Sequence, residues 1–285
     1  MADVWVLGSA AWDLTYRVDR MPPAGGLATA RFLGRRPGGS TANVARALAS
    51  AGHQVHLVGR VGADRTGADL VAELETWGVD TAHVDRQADL TPETLVFVDG
   101  GAERTIVVLD KGPAGPVPVP YAELRGADLV YVGWYGDFGP ELPAVLPGLP
   151  ALVATQVPAP GPAGGWYAHL VVGSAGEYPR PWLAAPYEHA RRRPGPQLRW
   201  AVVTRGPAGA TGYGPAGEVP VPAVGAEPVD TTGAGDSFTA GLLHGLLRGD
   251  DLATAGRLGA RWAATTVTLP QSTPARWDQV DPGSR

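Results

Sequence analysis

Apolar and polar positions along this chain follow two alternating periods, and the changes from one to the other outline the fold. Continuous apolar runs at Val4 to Leu7, Val55 to Val58, Leu129 to Val132, Leu152 to Thr155, Leu170 to Val172 and Ala201 to Thr204 read as strands buried on both faces. Stretches with helical spacing lie among them. Ala42 to Ala51 is stopped by Gly52, Gly67 to Trp77 is followed by Gly78 as a C-cap signal, and Ala255 to Ala264 leads into the strand-like TVTLPQST. This rhythm predicts an α/β fold with a mostly parallel central sheet covered by helices on both faces. The proline-rich stretches Gly112 to Pro120 and Pro158 to Gly165 read as surface loops.

One segment departs from the rhythm. Thr94 to Asp110, TLVFVDGGAERTIVVLD, holds two β-rich runs joined by a turn containing Asp99, Gly100 and Gly101, which is a hairpin signal. Leu14 to Val18 and Ala30 to Gly34 form a second extended pair. Together they predict a small antiparallel sheet, formed by approximately 14–36 and 93–110. Such a sheet is either a decorated edge of the main sheet or a lid over a site.

Composition narrows the chemistry. With 285 residues the chain is long enough to bury a sizeable core, and we expect a single domain over 1–285 with the small sheet as an appendage. A net charge of -5 gives no electrostatic footprint for nucleic acid or an anionic membrane, so small-molecule chemistry is favoured. The absence of cysteine excludes disulfides, thiolate catalysis and cysteine-ligated zinc, and suits the cytoplasm. The opening MADVWVLGSAAWD reads as a first strand, not a leader, and prolines interrupt the most apolar long window, Leu142 to Val157. The only lysine is Lys111, so no P-loop ending in Lys-Ser or Lys-Thr exists, and the six histidines show no zinc spacing.

The densest chemical signal is VDTTGAGDSFTAGLLHGLL, Val229 to Leu247. Gly233 and Gly235 permit backbone turns closed to other residues, and the first N–H groups of a helix starting near Ala234 have no partners inside it. That is an anion site, with the carboxylate of Asp236 beside it. Asp236 can take the proton of an alcohol attacking a phosphoryl group held there, a reaction in which positioning and charge stabilisation dominate. Read alone, Asp236 and Ser237 are equally ordinary first-turn helix residues.

DTTGAGDSFTAG resembles the C-terminal signature of the ribokinase-like (PfkB) carbohydrate kinase family. Four further stretches match its other marks in order: GSAAWD from Gly8, GGSTANVARALASAG from Gly38, VGRVGADRTG from Val58 and VVTRGPAG from Val202. The resemblance implies a three-layer α/β/α fold and an ATP-dependent phosphorylation of a hydroxymethyl group of a small sugar. It implies Asp236 as base with Gly233, Ala234 and Gly235 as the anion hole. Asp13, Gly38, Gly39 and Asn43 would meet the sugar, and without the family Asn43 is just as well a helix cap. Thr204, Arg205, Gly206 and Gly209 would line the nucleotide phosphates; otherwise they form a strand-to-hairpin turn. Asp230 and Thr232 lie in a loop whose relatives bind a monovalent cation such as K+.

The chain also departs from the family pattern. The Asn-x-x-Glu element that sits near Mg2+ and its waters corresponds to SAGE, with Ser174 in the asparagine position and Glu177 retained. The helix Ala255 to Ala264 lacks the asparagine that relatives often offer to adenosine, and Pro270 replaces a usual glycine. The expected partners are a sugar and ATP, with no nucleic acid or membrane and with a homodimer through the lid. A nucleoside kinase is the alternative within the family, with Trp12 stacking on a base. A sugar-sensing protein that has lost turnover is the alternative outside it, supported by Ser174.

Overall fold

The computed structural model describes residues 1–101, 104–109, 115–133, 138–156, 167–176, 183–192, 197–269 and 273–283. Two sheets organise them. In the larger, β1 (Asp3–Leu7) is an interior strand, flanked by β4 (Gln54–Gly62) and β9 (Leu129–Val132). The order runs outward through β5 (Val79–Asp80) on one side. On the other side come β10 (Leu152–Gln156), β11 (Leu170–Ser174), β12 (Trp200–Thr204), β13 (Ala210–Gly214) and β14 (Gly217–Val221). A further strand, β6 (Val84–Ala88), pairs with the far end of β4. All pairs are parallel except β12 with β13 and β13 with β14, which close the edge as a meander.

The two faces of this sheet are sorted by strand alternation. Val4, Val6, Val55, Leu57 and Tyr131 point to one core, shared with α1 (Ser40–Ser50), α2 (Arg65–Glu75), α5 (Ala234–Leu247) and α6 (Leu252–Val267). Their neighbours Trp5, Leu7, Val58, Val130 and Val132 point to the other, beneath α3 (Leu142–Val145). A third cluster, with Ala190 of α4 (Pro186–Arg191), covers Val171 and Val203. The result is the expected three-layer α/β/α arrangement.

The second sheet has the order β3 (Arg31–Gly38), β2 (Ala11–Arg17), β7 (Glu93–Val98) and β8 (Arg104–Val108). Its outer pairs are antiparallel hairpins, and the central β2–β7 pair that joins them is parallel. Both predicted segments therefore meet in one sheet apart from the main one. Strand β2 begins earlier than expected and takes in Trp12 and Asp13, while TVTLPQST starts inside α6 and forms no strand up to Leu269.

Helix α5 is apolar nearly all round and buried from Ser237 to Gly245, as a helix between other elements must be. Its closest neighbour is α6, and the two approach through glycines: a Cβ on Gly241 would lie 2.7 Å from the Gly259 Cα. Gly241→Val is therefore expected to lower stability by at least about 2 kcal/mol through overpacking. A urea midpoint equal to wild type would show that the two helices can separate freely.

Candidate active site

The candidate site is assembled where the carboxyl ends of the parallel strands meet the first turns of α1 and α5. Open α/β sheets present their ligand crevices on this side. Gly233 takes the left-handed conformation (φ 76°) and ends the preceding loop, so that α5 starts at Ala234 with Asp236 in its first turn. Among the described residues no acceptor faces the Gly235 N–H, and a Cβ built at Gly235 meets nothing within 4 Å. An open helix N-terminus with an unfilled N–H is what an anion requires.

Both oxygens of Asp236 are held from α1. The Ser40 hydroxyl donates to Oδ1 at 2.6 Å and the Asn43 amide donates to Oδ2 at 2.6 Å. Gly39 (φ 88°) is the residue preceding α1, so Asn43 lies inside the first turn and is not its cap. Ser40 also lies 3.2 Å from Gln156 Oε1 at the end of β10; having one proton, it can donate to only one of the two oxygens at a time.

Asp13 of β2 is 9% exposed and stands on the same face of the small sheet as its register partner, Arg36 of β3. Burial raises the Asp13 pKa to about 6; the Asp236 charge adds to the rise, while Arg36 and Arg46 oppose it. A Cβ on Gly38 would fall 2.1 Å from the Asp13 Cγ, and one on Gly39 would fall 2.6 Å from the Ser9 carbonyl oxygen. The glycine pair thus makes room for the chain's own Asp13 strand. Arg36 also faces Asp230 at 3.6 Å, and the other oxygen of Asp230 accepts the Thr232 N–H at 2.9 Å.

The remaining expected residues lie elsewhere along the strand ends. Thr204 ends β12, and the Arg205 N–H to Gly209 carbonyl bond (2.7 Å) closes a turn from β12 into β13. Arg205 donates to the hydroxyls of Thr211 and Tyr213. Ser174 ends β11 and accepts the Gly176 N–H at 3.3 Å; Glu177 lies outside the described residues. Trp12 points to the face opposite Asp13, donates its Nε1–H to the Thr66 carbonyl and lies beneath the Arg35 guanidinium. Trp12 is thus engaged within the protein, at 6% exposure.

Four participants escaped the sequence reading: Arg36, Ser40, Arg46 and Gln156. Arg46 left a usable trace. It is the only charge in STANVARALAS, whose other residues are small or uncharged, and a lone charge on a helix buried in this way must find partners inside the protein.

Comparison with known proteins identifies the fold and the family. Ribokinase from Giardia lamblia superposes with a TM-score of 0.81 at 21% identity, covering 99% of this chain and 98% of that one. An Arabidopsis thaliana ribokinase complexed with ribose and ATP gives 0.77 at 20% identity and 99% of both chains. The fold is therefore the ribokinase fold. The model for pfkB family carbohydrate kinases matches residues 1–135 and 188–278, and the chain belongs to that family. In sequence it is 36% identical over 135 residues to an ATP-dependent ribose-1-phosphate kinase from Halopiger xanaduensis, covering 46% of each protein. The matched stretch spans about half the length of that relative.

Proposed function

We propose that this protein transfers the γ-phosphoryl group of ATP to a hydroxymethyl group of a small sugar. The observation that carries the reading is the pairing of the open N-terminus of α5 with a carboxylate, Asp236, whose two oxygens are fixed by Ser40 and Asn43. ATP supplies the γ-phosphoryl group, whose bond to the β-phosphate oxygen breaks as ADP leaves. The Gly235 N–H and its neighbours in the first turn meet phosphoryl oxygens. Asp236 accepts the proton of the attacking hydroxyl, and Asp13 and Asn43 orient the acceptor. The small sheet, which carries Asp13 and Arg36, closes over the acceptor and excludes water.

The fit of the implied ions differs from residue to residue. Ser174, whose hydroxyl accepts the Gly176 N–H, would give Mg2+ and its waters one hydroxyl where an asparagine would give an amide. Asp230 already faces Arg36, so a monovalent cation in this loop would rely mainly on backbone carbonyls. A rate that rises when potassium replaces tetramethylammonium at constant ionic strength supports such a cation; a flat response removes it and leaves the anion hole intact.

The buried Arg36 guanidinium beside Asp13 also favours a second reading, in which the sugar already bears a phosphate. ADP release measured with pentoses, hexoses, keto-deoxy acids, nucleosides and ribose 1-phosphate separates these acceptors. No ADP release above the ATP-only background with any of them would favour the sensing role. Exposed Phe32, Leu33, Ile106 and Val108 on the small sheet support pairing of two copies through it. Sedimentation of an Ile106→Asp variant as a monomer beside a dimeric wild type checks that pairing.

A further inference from the structure

Asn43 can serve Asp236 only in one orientation. Its side chain has an NH2 end and a carbonyl end, and a carboxylate accepts hydrogen bonds but donates none when ionised. If the amide were turned over, two oxygens would face each other at hydrogen-bond distance. Something must therefore hold the carbonyl end away.

That group is Arg46, one turn further along α1. Residues three apart on a helix are neighbours, and the Arg46 Nη2 donates to Asn43 Oδ1 at 2.5 Å. The same nitrogen donates to the Pro37 carbonyl at 2.8 Å, just before the glycine pair that packs on Asp13. The residue is fully buried, at 0% exposure. Its guanidinium lies 5.1 Å from the centroid of the Trp77 ring, which Arg276 covers at 3.9 Å. The charges that act on Arg46 are Asp13 and Asp236 in the site, Glu73 on α2 and Arg36 on β3. A buried guanidinium is costly unless it is paired and hydrogen-bonded, and here the bonds of Nη2 go to the Pro37 carbonyl and to Asn43, while Nε is buried without a partner among the described residues.

We infer that Arg46 is a positioning residue, which locks the Asn43 amide so that its NH2 end, and not its carbonyl oxygen, is presented to Asp236. This role rests on Asp236 as the base of the proposed transfer. The chain of contacts runs from Trp77 through Arg46 and Asn43 to Asp236, so a residue that touches neither substrate nor nucleotide sets the direction of the reactive carboxylate. Lysine at this position would keep the charge but lose the planar Nη2, whose two hydrogens have fixed directions toward the Pro37 and Asn43 oxygens.

The test is a double-mutant cycle with Arg46→Lys and Asn43→Ala, read as kcat by ADP release with the best acceptor and as nucleotide Kd by calorimetry. Arg46→Lys is expected to lower kcat tenfold or more in the wild-type background and less than twofold in Asn43→Ala, with nucleotide Kd unchanged in both. An equal loss in both backgrounds, or no loss in either, overturns the inference. Independently of turnover, the NMR signals of the Asn43 side-chain amide are expected to move upfield in Arg46→Lys, as its bond to the carboxylate loosens. Unmoved signals also overturn the inference. If wild type releases no ADP with any acceptor, the kinase reading fails, and the amide signals still decide whether Arg46 orients Asn43.

Discussion

Asp236→Asn is expected to lower kcat by about a hundredfold or more, the range typical of a lost general base. The substitution is nearly isosteric, and the surroundings accept it. The new amide can keep its carbonyl toward the Asn43 NH2 and turn its own NH2 toward the Ser40 hydroxyl, which can accept as well as donate. Fold and anion hole therefore survive, and the nucleotide Kd measured by calorimetry should stay within a few-fold of wild type. The predicted signature is a large fall in kcat with little change in binding. Turnover near the wild-type rate would remove Asp236 from the chemistry and leave it as a residue that ties α5 to α1.

The second large effect concerns Asp13 and has opposite signs in stability and function. Its pKa, raised from 3.8 to about 6 chiefly by burial, means that the folded protein holds this proton more tightly than the unfolded chain. Stability is then lost as pH rises from about 4 to about 6, and above that range the buried charge costs roughly 3 kcal/mol. Asp13→Asn removes that cost. The variant should unfold several degrees above wild type at pH 8, and the difference should vanish near pH 4. Its acceptor binding should weaken at the same time, since hydrogen bonds to a charged partner contribute about 1.5 to 3 kcal/mol each. In wild type, kcat/KM for the acceptor should rise with pH through about 6 as Asp13 ionises. Thermal scans at the two pH values check the first claim and acceptor titrations the second. A variant that is less stable than wild type at pH 8 would show that Asp13 is a structural ion-pair partner of Arg36.

Much of the main sheet was legible because its strands are buried on both faces and written as unbroken apolar runs. Leu129 to Val132 is the observed β9, and Gly78 (φ 82°) sits where the end of a helix was expected. The reading failed where pairing overrides composition. Strand β4 continues through Gly59 and Gly62 because β6 pairs with that end, although glycines in sequence suggest a turn. Strand β2 includes the polar Asp13 because β3 and β7 flank it on both sides. In the site, each motif announced itself but not its partner. The bond from Asn43 to Asp236 joins residues 193 apart, and no local period encodes it. Arg46 was overlooked because an arginine on a helix ordinarily faces water.

The position of β1 inside the large sheet, between β4 and β9, also governs how the chain emerges during synthesis. The first strand made is flanked by β4, which follows soon, and by β9, which begins at Leu129. Every strand of the small sheet lies within the first 108 residues, so the whole acceptor face with Asp13, Arg36 and Asn43 can assemble on the nascent chain. The helix that carries Asp236 emerges only after Thr232, and α6 must follow to hold it. Until then the apolar face that α5 and α6 cover stays exposed, and Asn43 waits for the carboxylate it holds.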